Sequence, residues 1–119
     1  MSSILPTIAE TSLFTRKAEK LLTAHEREEM MLYLATYYAA GDEIPGTGGV
    51  RKIRFAARGK GKSGGVRIIY YFYDNQNPLY AIFLFGKNEQ VDLTAEQKKD
   101  ATAFAAIIKA GAKAQRKKR

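Results

Sequence analysis

The amino-acid sequence predicts an α+β fold, with two helices first, three strand-like segments in the middle and a helix at the end. Three observations carry this expectation. Capping-box patterns, which open helices, stand at Thr23 with Glu26 and at Thr94 with Gln97. The stretch from Val50 to Phe85 is dense in β-branched and aromatic residues, and glycine-rich or polar turn clusters interrupt it twice. Cysteine is absent, so core packing and not disulfides must hold the fold, and 45% apolar residues in a chain of 119 suffice for one core.

In chain order, residues 4–9 suit a short opening strand, which Pro6 confines to an edge or a strand start. Thr11 and Ser12 can cap a helix over 13–22, and the Thr23 capping box opens a second one that should run to Ala40 and stop at Gly41. Joined by so short a link, the two should form a helical hairpin. Strands are expected over 50–56, 66–73 and 79–85, connected by turns at 57–65 and 74–78 into two consecutive antiparallel hairpins. The last helix should start near Thr94 and end at Ala110, before Gly111. A single domain over residues 1–112, followed by a mobile basic tail over 113–119, is the expected organisation.

The formal net charge is +8, from 20 Lys plus Arg against 12 Asp plus Glu, which points to a polyanionic partner. Its distribution is uneven. Between Glu43 and Asp74 there is no acid, and that gap holds Arg51, Lys52, Arg54, Arg58, Lys60, Lys62 and Arg67. A second acid-free block follows Asp100 and contains Lys109, Lys113, Arg116, Lys117, Lys118 and Arg119. No apolar run approaches the ~20 residues of a membrane span, and the N-terminus lacks the signal-peptide pattern, so a cytoplasmic protein without membrane partners is expected.

Several chemistries are excluded by residue type. His25 is the only histidine and lies among Glu26, Glu28 and Glu29, which suits a helix surface and rules out a two-histidine ribonuclease centre. No cluster has metal-ligand spacing, so neither metal nor cofactor is expected. The Gly61-Lys62-Ser63 string is not a P-loop: Ala56 stands where the first glycine belongs, and Val66 begins a strand where a helix should follow. The loop instead reads as a flexible cationic hairpin tip for nucleic-acid phosphates.

Pairing across the 74–78 turn with Tyr73 opposite Leu79 brings Arg67 level with Phe85, next to Gly86 and Lys87. The other hairpin lays Arg54 near Arg67, so Lys52, Arg54, Arg67 and Lys87 should converge at one end of the sheet. Alternation puts Arg67, Ile69, Tyr71 and Tyr73 on one face, where a guanidinium could brace phosphate oxygens and rings could stack on bases. RNA carries its own nucleophile in the 2′-hydroxyl. Its cleavage needs alignment, charge neutralisation at phosphorus and proton transfer, which Lys and Arg can supply.

The strings GTGGVRKIRF (46–55), GKGKSGGVRIIYYF (59–72) and FGKNE (85–89) resemble HigB-type toxins of the RelE/ParE superfamily. The resemblance extends in element order over about 110 residues. It implies a compact RelE-like domain, with helices packed on a small, mainly antiparallel sheet. It also implies a metal-independent endoribonuclease that cleaves mRNA in the ribosomal A site, held inactive by a cognate, DNA-binding antitoxin. By this resemblance Arg67, Lys87, Arg54 and Lys52 are the catalytic candidates. Lys60, Lys62, Arg58, Arg51, Tyr71 and Asn88 are the candidates for mRNA and ribosomal RNA contact. Asn88 stands where RelE-like enzymes carry an arginine, and Thr94 falls near the family's tyrosine. The competing expectations are a ParE-like poison of DNA gyrase, which needs no cationic sheet centre, and a nucleic-acid-binding module without catalysis.

Overall fold

A computed structural model describes residues 5–56 and 65–117. Among the described residues the order is β1 (Ile8–Glu10), α1 (Ser12–Leu21), α2 (Ala24–Thr36), β2 (Asp42–Glu43), β3 (Arg51–Phe55), β4 (Val66–Tyr71), β5 (Leu79–Gly86) and α3 (Ala95–Lys117). The strands form one sheet in the order β1-β5-β4-β3-β2. Only β1 runs parallel to its neighbour, so the sheet is mainly antiparallel, as expected.

Alternation divides the sheet residues between two apolar clusters. Ile68, Tyr70, Leu79, Ala81 and Leu84 pack under α1 and α2, against Phe14, Ala18, Met30 and Leu34. Ile69, Tyr71, Ile82 and Phe85 pack under α3, against Ala101 and Ala105. The layer order is therefore helical pair, sheet, helix.

Thr11 seats α1 twice: its side chain accepts from Phe14 N at 3.1 Å and donates to Ile82 O at 2.7 Å. The Thr23 capping box forms in full, with Thr23 N to Glu26 Oε1 at 2.8 Å and Glu26 N to Thr23 Oγ1 at 3.1 Å. Helix α2 stops at Thr36, four residues short of the expected Ala40. Tyr70 accounts for this, because its hydroxyl donates to Tyr38 O at 2.6 Å and accepts from Gly41 N at 3.1 Å. Those backbone groups serve the sheet instead of another helical turn.

Two further differences matter. Strand β4 ends at Tyr71, and a bulge shifts the β4–β5 register: Arg67 pairs with Phe85, but Tyr70 pairs with Ala81 and Tyr71 with Tyr80. The expected register thus holds at the Arg67 end and slips by one at the turn end, with Ile82 and Phe83 both on the α3 side. Helix α3 does not end at Ala110. It runs through Gly111 to Lys117, so the expected mobile tail is helical as far as it is described. Arg116 helps hold it, with Nη2 2.7 Å from Asp74 Oδ2 and its guanidinium 5.5 Å from the centre of the Tyr73 ring.

Candidate nucleic-acid cleft

Arg54 and Arg67 are direct partners across β3 and β4, and Lys52 lies two residues along on the same face. Like charges placed opposite each other destabilise a sheet, so this pair costs stability unless an anion lies between them. Arg54, Arg67 and Lys87 line a cleft of about 330 Å³ together with Phe55, Ala56, Gly65 and Val66. Arg54 and Arg67 also line an adjoining cleft of about 440 Å³, together with Lys52 and Val91. The four expected cations are thus brought together, and among the described residues Arg54, Arg67 and Lys87 have no carboxylate partner.

Arg67 is held by backbone. Its Nη1 donates to Lys87 O at 3.2 Å and to Gln90 O at 3.3 Å, so the guanidinium is aimed without being neutralised. Lys52 is paired: its Nζ is 3.3 Å from Asp92 Oδ1, on the same segment that follows β5. That carboxylate is 79% exposed, so the pair is open to competition by a bound anion.

The turn that carries Lys87 is itself fastened. Glu89 N donates to Gly86 O at 3.1 Å, and Glu89 Oε1 accepts from Gly86 N at 3.1 Å. The other Glu89 oxygen makes an ion pair with Lys17 of α1. Burial pushes the Glu89 carboxyl up, but hydrogen bonds from Lys17 and Gly86 outweigh it and leave the group below the usual glutamate range.

Two expected contact residues are placed elsewhere. Tyr71 is 2% exposed and packs beneath Gly49 and α3, so its ring cannot stack on a base, and burial raises its phenol above the usual tyrosine range. Arg51 faces the side opposite Lys52, where Nη1 donates to Gly41 O at 2.5 Å and Nη2 lies 3.9 Å from Glu43; it braces the chain between α2 and β2. Asn88 is exposed on the turn beside Lys87. Arg58, Lys60 and Lys62 lie outside the described residues. His25 is on the surface, 3.8 Å from Glu29.

Sequence reasoning missed Glu89, Asp92 and Thr47. A glutamate three residues after a glycine that leaves a strand is a readable turn signal; the Asp92 contact depends on the path of the segment after β5. Thr47 is fully buried, its hydroxyl donating to Ile44 O at 2.7 Å and accepting from Val50 N at 3.1 Å, which ties the loop leading into β3.

Known proteins share this fold. The family described as "RelE toxin of RelE / RelB toxin-antitoxin system" matches residues 10–118. Among solved structures, the chain is similar to a free-state variant of the E. coli toxin RelE in which two arginines are replaced by alanine. That similarity has a TM-score of 0.51 at 16% identity, and covers 71% of this chain and 86% of the other.

Proposed function

Since the chain belongs to the RelE toxin family of toxin–antitoxin systems, we propose that its cationic cleft cuts messenger RNA on the ribosome. The observation that carries this reading is the opposed Arg54–Arg67 pair, open to an anion and flanked by Lys52 and Lys87. Arg67, already oriented by two carbonyls, has N–H groups left over to grip two phosphate oxygens. Arg54 grips from the facing strand. As the 2′-oxygen attacks, its bond to phosphorus forms and the bond from phosphorus to the 5′-oxygen breaks, leaving a 2′,3′-cyclic phosphate and a 5′-hydroxyl. One proton must leave the nucleophile and one must reach the leaving oxygen; Lys52 and Lys87 are the groups we assign to those transfers.

A site with so little built-in acid–base machinery gains from a partner that presents RNA in reactive shape, which is the role we give the ribosome. The FGKNE and GTGGVRKIRF strings favour the HigB branch. Arg58, Lys60, Lys62 and Asn88 are proposed as contacts to mRNA or ribosomal RNA. A cognate antitoxin holds the toxin in check in the cytoplasm.

The test is a translation extract programmed with one mRNA, with ends mapped by primer extension. Wild type should give codon-phased cuts, and Arg67→Ala should remove them. Cuts that persist in Arg67→Ala would overturn the site; uncut mRNA with stalled replication in cells would favour a gyrase poison.

A further inference from the structure

Helix α3 carries a second cationic surface that the cleft does not use. At 3.6 residues per turn, Lys98, Lys109, Lys113, Lys99 and Lys117 fall in one arc of about 100°, over an axial length of about 28 Å. Thr102 and Ala106 are the small residues between them. The two acids of the helix, Glu96 and Asp100, fall outside the arc, about 60° and about 100° beyond its Lys99 edge. The loop over 44–50, which runs beside the arc, contains no acid. Arg116 shares the arc but is committed to Asp74.

Glycines shape the neighbouring wall. Gly46, Gly48 and Gly49 have φ of 79°, 76° and 112°, values that L side chains rarely adopt. Two lysines reach this loop: Lys109 Nζ lies 3.4 Å from Gly48 O, and Lys98 Nζ lies where a Cβ on Gly46 would stand 3.4 Å from it. Between loop and helix runs a groove of about 290 Å³, lined by Lys109, Lys113, Thr102 and Gly48.

We propose that this lysine ridge, with its glycine wall, is a docking surface for the phosphate backbone of double-helical RNA. Its chemistry separates it from a protein interface, which needs a desolvated apolar or aromatic anchor and is poor in lysine. The arc offers none, and exposed Ile107 is on the other side of the helix. Hydrated point charges on flexible stems suit phosphates that are contacted without reading sequence. The ridge starts beside the segment that holds Arg67 and leads away along the sheet, so RNA in the cleft and RNA on the ridge can belong to one assembly. The choice of RNA over DNA rests on the reading of the cleft; the phosphate contacts do not.

The test compares two charge-matched variants of the full chain, Lys109→Gln with Lys113→Gln on the ridge, and Arg16→Gln with Lys20→Gln on exposed α1. All four positions accept glutamine as a helix former, and thermal melting confirms the fold. Binding is measured against an RNA duplex of about 20 base pairs, the DNA duplex of the same sequence, and poly-glutamate, across a salt series. The ridge variant should bind the RNA duplex about tenfold more weakly, with a log–log salt slope about two units shallower, and the α1 variant should change less than about threefold.

Equal losses in the two variants, an unchanged ridge variant, preference for the DNA duplex, or tighter binding of poly-glutamate would each overturn the proposal. A protein that binds duplex through the ridge yet leaves mRNA uncut would remove the cleavage reading and leave this one standing.

Discussion

Arg67 shows how far a single residue could be read before any coordinates. Strand alternation and hairpin length put it opposite Phe85 and beside Arg54, and both pairings are observed. What pattern could not supply was the means of holding it, because carbonyl contacts from Lys87 and Gln90 depend on an irregular segment that no periodicity describes. Tyr71 failed for the opposite reason: alternation gave its face correctly, but that face is covered by α3 there and open only towards Arg67.

In the proposed reaction Glu89 is a positioning residue, acting on Lys87 through the turn it fastens. In Glu89→Gln, kcat for cleavage should fall roughly tenfold to a hundredfold with KM little changed, because the fault is one of placement. Its folded-state carboxyl is lowered, so the clamp is fully present above the ordinary glutamate range and is lost as pH falls through that depressed value. In the wild type the Gly86 amide shift should therefore titrate below the usual glutamate range. In the variant that titration should vanish.

At the scale of elements, starts were easier to read than ends. The Thr23 capping box formed as expected, because a cap is a local motif made by residues three apart. The end of α2 was set instead by Tyr70, distant in sequence, and Gly111 proved too weak a stop signal against the packing of Ala112. Gly111 lies inside α3 with open space where a Cβ would stand. Gly111→Ala should therefore stabilise the protein by about 0.5–1 kcal/mol, measured by denaturant titration at unchanged m-value. A lower midpoint would show that the helix needs the glycine.

For the whole molecule, helices cover the sheet on both sides and leave the cations at the β3–β4 end lining an open cleft. Helix α3 is secured at both ends, by Gln90 Nε2 to Gln97 Oε1 at 2.8 Å near its start and by Arg116 to Asp74 near its finish. Arg116→Ala should speed amide exchange over residues 112–117 while leaving the melting temperature nearly unchanged, since exposed ion pairs contribute little to global stability. The Asp74 carboxyl is lowered by the Asn77 side chain first, with Arg116 and the Gln76 amide adding to it against burial. Acid should release this end of the helix only as pH drops through that lowered value.

The bulge at Ile82 has a consequence for how such chains diverge. The extra residue lies between the hairpin turn and the Arg67–Phe85 pair, so a change in the length of the turn can be absorbed before it reaches the cleft. Lineages could lengthen or shorten residues 74–78 freely, and the spacing that counts in an alignment is the short one from Phe83 to Lys87.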